Sequence, residues 1–260
     1  MRVINLASGS DGNLTYIETD STKLLVDMGL SCNETLKRLD LLNVKPNEID
    51  AVLITHQHVD HIKGVDVFSS KFDVPVFSHK DVWQGLDEKL VKTSSKNRKS
   101  FDGDFFFKDL EVMPIEVSQD VKCFAYSFKH GNSKISIVTD LGKVNDLLLD
   151  KIASSQLVYL EANYDKDMLI HGDKYPLTLK RRIAGPHGHL SNDDSAKVIE
   201  FLVGTGTRQI VLSHLSKENN TPTLAYTYIS QKLHENGIQE GVDIKIDVAS
   251  PMPGAIFRLK

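Results

Sequence analysis

Long apolar runs are missing from this chain of 260 residues, and no stretch approaches the length of a membrane span. Cysteine is scarce. Cys32 and Cys123 form no C-x-x-C pair and no disulfide framework, which fits a reducing cytosol. Neither sign of charge dominates: a net charge of −4 gives no global attraction for nucleic acid, so any such binding needs a local basic patch. Tryptophan occurs once, as Trp83, and reads as a packing residue. Repeats, low-complexity segments and linkers are absent as well, so residues 1–260 read as one domain. The segment Met1–Leu6 reads as a strand, with no signal-peptide pattern after it. What is present is ordinary for a globular protein. A chain that is 40% hydrophobic and 25% charged can bury a full core without disulfides.

Against that background one stretch is unusual. Thr55-His56-Gln57-His58-Val59-Asp60-His61 holds four potential metal ligands within six residues. It follows Ala51-Val52-Leu53-Ile54, a short uncharged run that reads as a buried strand. Ligands at the C-terminal end of a strand sit where α/β proteins usually place their chemistry. His56 and His58 can converge on one ion if the backbone is extended, and Asp60 and His61 can face a second. A helix is expected to scatter such a set, since residues two apart lie on different faces. Imidazoles with a carboxylate suit zinc, manganese or iron.

The rest of the chain supplies a frame. Residues 2–7 and 14–19 read as strands around Ser8-Gly9-Ser10-Asp11-Gly12-Asn13, which reads as well as a plain tight turn as a functional loop. Lys23–Asp27 is a third strand, and Ser31 with Glu34 a capping box opening a helix to about Leu42. Beyond the ligand stretch a short helix (64–72), a strand (74–77) and a helix from about Asp81 are expected. Residues 92–99, with Lys92, Lys96, Arg98 and Lys99, read as a solvated loop. A meander of strands follows at 105–107, 110–117, 123–128 and 135–139. A helix at 144–153, a strand at 157–160 and a helix capped by Ser191 come next. A strand then leads to Ser213-His214, a helix opens at Thr221-Pro222 and stops at Asn236-Gly237, and a last strand spans 244–248.

The motif H-x-H-x-D-H at 56–61 resembles the hallmark of the metallo-β-lactamase-fold superfamily of binuclear metallohydrolases. The resemblance extends over essentially the whole chain and is nearest to its YycJ/WalJ-type branch. It is carried by Ala7-Ser8-Gly9-Ser10, Leu24-Leu25-Val26-Asp27-Met28-Gly29, Glu161-Ala162-Asn163, Gly188-His189-Leu190-Ser191-Asn192 and Leu212-Ser213-His214-Leu215-Ser216. It implies an α/β, four-layer αββα sandwich. It also implies further ligands: Asp140, which alone reads equally as a turn residue, would bridge both ions, and His214 would be the last histidine. The histidine usually found between the first motif and that aspartate is replaced here by Gln119, whose amide oxygen is a weaker ligand than imidazole. Tyr164 likewise stands where the branch often has histidine.

By the same resemblance, Glu161 would support His189 near the leaving group. His189 also precedes the helix N-cap Ser191, at a positive helix end that favours anions. The triplet Lys180-Arg181-Arg182 alone reads as a solvated helix face. Its position between the Glu161 and His189 elements makes it a candidate phosphate contact.

These expectations combine into a binuclear metal-dependent phosphodiesterase, with zinc or manganese activating water. Asp60 would orient that water and handle a proton, and His189 would protonate the leaving oxygen. The branch implies a cytoplasmic enzyme with 5′–3′ exonuclease activity, on DNA before RNA. Two alternatives stand beside it. A non-catalytic metal-binding or regulatory protein on the same fold is favoured by Gln119 and Tyr164, and hydrolysis of a small ester or thioester would leave the basic triplet without a ligand.

Overall fold

A computed structural model describes residues 1–259. The chain up to residue 101 forms β1 (Arg2–Ala7), β2 (Leu14–Glu18), β3 (Lys23–Val26), β4 (Ala51–Ile54), β5 (Val76–His79) and β6 (Arg98–Phe101). The rest forms β7 (Phe105–Phe107), β8 (Leu110–Val117), β9 (Cys123–His130), β10 (Ser133–Val138), β11 (Leu157–Glu161), β12 (Gln209–Ser213), β13 (Lys245–Val248) and β14 (Ile256–Arg258). They pair into two seven-stranded sheets, in the orders β14-β1-β2-β3-β4-β5-β6 and β13-β12-β11-β10-β9-β8-β7. In each sheet antiparallel strands lead into parallel ones: β3 to β6 in the first, β10 to β13 in the second.

The helices are α1 (Cys32–Asp40), α2 (Val59–Ile62), α3 (Val65–Phe72), α4 (Lys80–Leu86), α5 (Asp146–Ile152), α6 (Lys166–His171), α7 (Leu177–Ile183), α8 (Asn192–Gly204) and α9 (Pro222–Glu235). The alternation of β11 shows how the layers stack. Leu157 and Tyr159 join the core between the sheets, with Tyr16, Leu25 and Val52 of the first sheet. Val158 and Leu160 face the other way, into a second core with Leu148 of α5, Ile199 of α8 and Ile229 of α9. Successive strand residues point to opposite faces, so an uninterrupted apolar run marks a strand covered on both sides. Each such side chain contributes roughly 1.5–3 kcal/mol on burial. The result is the αββα sandwich expected from the sequence.

Helix starts follow the side chains that can satisfy free N–H groups. Ser191 Oγ accepts from the Asp194 N–H at 3.2 Å, and Thr221 Oγ1 from the Leu224 N–H at 3.1 Å. Ser31 Oγ accepts from Glu34 N–H at 3.3 Å, but the Glu34 carboxylate turns to Lys37 and Arg38 instead of closing a capping box.

Three further expectations are corrected. The ligand stretch is not extended throughout: His58 caps α2, and Asp60 and His61 lie within it. The span 92–99 is not all loop, because Ser95–Asn97 form a 3₁₀ turn and Arg98 opens β6, an edge strand parallel to β5. The last strand of the chain is β14, which pairs with β1. Among the described residues, no helix is long and apolar enough to cross a membrane.

Candidate metal centre

Four strands aim their C-terminal ends at one place. His56 follows β4, Asp140 follows β10, Glu161 ends β11 and His214 follows β12. Asp140 and His214 both take a left-handed backbone, with φ of 61° and 54°, and so does Asp27 after β3 with φ of 57°. Non-glycine residues seldom adopt this conformation, and its cost is borne where structure around a site imposes it. All three side chains are buried. The loops interlock: Met28 N–H donates to His61 O at 2.7 Å, and Asn13 N–H to Asp60 O at 2.8 Å. Gly29 is required at this crossing, since a Cβ there would lie 1.7 Å from the Asp60 carbonyl oxygen.

On one side of Asp140, His61 Nε2 lies 3.2 Å from its Oδ2, and His214 Nε2 lies 3.5 Å from its Oδ1. Asp60 Oδ2 completes the group, at 3.6 Å from His61 Nε2 and 3.4 Å from His214 Nε2. The outer nitrogens of both rings are held. His61 Nδ1–H donates to Asp27 at 2.7 Å, and Thr55 holds that carboxylate through its N–H and hydroxyl. His214 Nδ1–H donates to Glu161 Oε1 at 2.8 Å. Both inner nitrogens are thereby turned toward the carboxylates, the arrangement that presents imidazole as a ligand.

On the other side, His56 Nε2 lies 3.0 Å from His58 Nδ1. The outer Nδ1 of His56 meets Thr55 Oγ1 at 3.0 Å. His56, His61 and Asp140 can each bring one ligand atom within 4.8 Å of the others, and so can Asp60, His61 and His214. Gln119 hydrogen-bonds within its own surroundings. Its Nε2–H donates to Gly188 O at 3.4 Å, and its Oε1 accepts the Asp120 N–H at 2.8 Å.

Electrostatics favour a cation here. Burial opposes charging His61 and His214, yet the neighbouring carboxylates prevail: His61 is raised well above the usual imidazole range, and His214 to about 10. Burial likewise works against the Asp60 carboxylate, but His214 and His61 hold it at about 2. For His56, burial and the neighbouring His61 outweigh Asp140 and Asp60, and it is pushed well below the usual range. Asp140 Oδ2 is fully buried and makes no well-formed hydrogen bond, although His61 Nε2 lies 3.2 Å away. A buried carboxylate oxygen left without a well-aligned donor, among imidazole nitrogens, fits a divalent ion.

Glu161 is fully buried and receives four donors. Oε1 accepts from His214 and from His189 Nδ1–H, both at 2.8 Å, while Oε2 accepts the Leu141 and Leu190 N–H groups at 3.1 and 3.2 Å. Burial disfavours its charge, but His189 and His214 keep it below the usual carboxylate range. Burial also works against protonating His189, and Glu161 outweighs it, so that His189 titrates above its usual value.

The basic triplet divides. Lys180 Nζ caps the end of α6 through the Ile170 and Gly172 carbonyls, Arg182 pairs with Asp120, and Arg181 is exposed. Tyr164 is buried, bridged through its backbone to Ser191. Several neighbours of the ligands went unread in the sequence. Asp27 and Thr55 carry the signal of a polar residue ending a buried strand. Asn13, whose Nδ2 is 3.0 Å from His61 Nε2, lies on the loop that could pass for a plain turn.

The chain resembles known proteins throughout its length. Residues 7–151 match the model of the metallo-beta-lactamase superfamily. The chain is 36% identical over 255 residues to exodeoxyribonuclease YycJ of Bacillus anthracis, with 96% of each chain covered. It is 37% identical over 251 residues to exodeoxyribonuclease WalJ of Streptococcus pneumoniae, covering 95% of this chain and 93% of that one. Zn(2+)-bound PqqB from Methylobacterium extorquens has the same fold, with a TM-score of 0.74 at 14% identity and full coverage of both chains. The motif, the two sheets that meet at it and these likenesses agree: the chain belongs to the metallo-β-lactamase superfamily.

Proposed function

We propose that this protein is a binuclear metal-dependent phosphodiesterase that removes nucleotides from the 5′ end of DNA. The observation that carries the reading is the convergence of His56, His58, Asp60, His61 and His214 on the buried, hydrogen-bond-deficient Asp140. The likeness over nearly the full length to proteins named exodeoxyribonucleases supports DNA as the substrate. His56 and His58 would hold one ion, and Asp60, His61 and His214 the other, with Asp140 between them. Gln119 is the weak member of the first set. Zinc or manganese bound there would supply Lewis acidity and lower the pKa of the attacking water.

The protein's own groups do the rest. Asp60, part-exposed and ionised at neutral pH, orients the water and accepts its proton. His189, held through Nδ1 by Glu161, presents Nε2 to the leaving oxygen as a proton donor. Arg181 is the member of the basic triplet free to meet a backbone phosphate. Residues 1–260 act as one domain, with both sheets contributing to the site. Two buried free cysteines, Cys32 and Cys123, support a cytoplasmic location.

The test is metal analysis coupled to digestion of 5′-labelled single- and double-stranded DNA and RNA. Two bound ions, with label released from DNA and release abolished by chelation, is the expected result. One bound ion with no hydrolysis under any metal favours the regulatory-protein reading, to which Gln119 lends support through its hydrogen bonds away from the ligands.

A further inference from the structure

The loop after β8 contacts the weaker ligand set from outside. Asp120 Oδ1 lies 3.2 Å from His58 Nε2. Its other carboxylate oxygen pairs with the Arg182 guanidinium, at the end of α7. His58 directs Nδ1 toward His56 Nε2, so Nε2 is its outward nitrogen. The other three ligand imidazoles each have an oxygen partner on the outer nitrogen: Thr55 for His56, Asp27 for His61 and Glu161 for His214. Asp120 is the corresponding partner of His58.

His58 needs such a partner more than the others do. Its side chain is 32% exposed, whereas that of His61 is fully buried, so packing restrains its ring less. A neutral imidazole carries one N–H, and a carboxylate beside Nε2 favours the proton there, leaving the Nδ1 lone pair free for an ion. Gln119 serves the same end. Its Oε1 accepts the Asp120 N–H at 2.8 Å and its Nε2–H reaches Gly188 O, which fixes the loop that aims Asp120. The side chain standing where the family has an imidazole is thus used to build the loop.

We propose that Arg182, Asp120 and His58 form a positioning relay that orients His58 as a ligand and offsets the imidazole missing at position 119. Asp120 and Arg182 touch neither ion nor substrate in this role; they act through His58. The inference rests on the ion-binding reading above.

The test is titration of metal-stripped full-length protein with Zn²⁺ against a chromophoric chelator, with the melting temperature of each ion-free variant measured alongside. Asp120→Ala should weaken the looser of the two sites by roughly 10–100-fold, the usual effect of removing the partner of a ligating histidine, and leave the tighter site unchanged. Asp120→Asn keeps an oxygen facing Nε2 and should lose less. Arg182→Ala should fall between, and Arg182→Lys should recover part of the loss. Ion-free melting temperatures should match the wild type throughout. Unchanged Zn²⁺ uptake by Asp120→Ala overturns the relay alone. Equal weakening of both sites in Asp120→Asn makes the loop a general structural support and also overturns it. A wild-type protein that takes up no ion removes the relay and the ion-binding reading together.

Discussion

On the His61–His214 side of Asp140, both imidazoles are buried and each rests on a buried carboxylate, Asp27 or Glu161. On the His56–His58 side, one imidazole rests on a threonine hydroxyl, the other is part-exposed against a surface aspartate, and Gln119 is spent on its loop. The same motif thus places candidate ligands in two unequal environments. The difference follows from where the elements lie. The first pair comes from α2 and from the end of β12, and the buried Asp27 and Glu161 hold both rings. On the other side His58 is part-exposed and faces the surface loop after β8. Ligands fixed beforehand lose less freedom when an ion arrives, so the His61–His214 side should hold its ion more tightly.

The most severe way to break this asymmetry is Glu161→Gln. The carboxylate serves His214 and His189 at once, and a neutral amide has one oxygen to offer both. Affinity of the tighter ion should fall by about 10–100-fold, as expected on removing the charged partner of a ligand. Turnover should fall further than in any single substitution at His189. Chelator competition and DNA hydrolysis measure the two effects. Retention of both would place Glu161 in a packing role.

A narrower cut is His189→Ala, which should spare both ions. Turnover on substrates with poor leaving groups should drop by about 10²–10⁴-fold, the range of general acid catalysis. The loss on p-nitrophenyl esters should be much smaller, since that leaving group needs no proton. The pH profile carries the same information. Glu161 raises the pKa of His189, so the donor stays protonated past the ordinary imidazole value of about 6.5. Rate on poor leaving groups should therefore hold through that pH and decline only above it, and the decline should vanish in His189→Ala. Equal losses on both substrate classes would make His189 a binding residue.

Much of this candidate centre could be read along the chain because several of its residues follow buried strands. Ala51–Ile54 and Ile210–Leu212 are apolar runs and Ile135–Val138 is interrupted only by Ser136; each is followed by polar residues and leads to a candidate ligand at the same rim. Ser191 and Thr221 announced their helices through short-range hydrogen bonds. What escaped had no local signal. In α2, four residues with two ligands are too short to show a period, and the expectation of an extended backbone held only as far as His58. In α7, every residue is at least part-exposed, so no apolar stripe marks its face. The edge strands β6 and β14 are short and largely unburied. Asn13, Asp27 and Asp120 are joined to the ligands across 47, 34 and 62 residues of sequence, spans that only the folded chain closes.

The mildest test acts on the loose side alone. Gln119→His would restore the residue usual in this family, and an imidazole nitrogen is the better ligand for zinc. If position 119 borders the first ion, the substitution should raise occupancy of the looser site and increase turnover most at low metal concentration. The gain should be small. Gln119 also accepts the Asp120 N–H, and an imidazole turned inward gives up that bond and slackens the loop behind His58. The two effects oppose each other, and the relay through Asp120 makes the opposition measurable. Gln119→His should help the wild-type protein less than it helps Asp120→Ala, where the support of His58 has already been removed. Coupling of that sign in a double-mutant cycle, read as Zn²⁺ affinity, would join positions 119 and 120 in one compensation. Strict additivity would separate them, leaving the loose side dependent on His56, His58 and Asp140 alone.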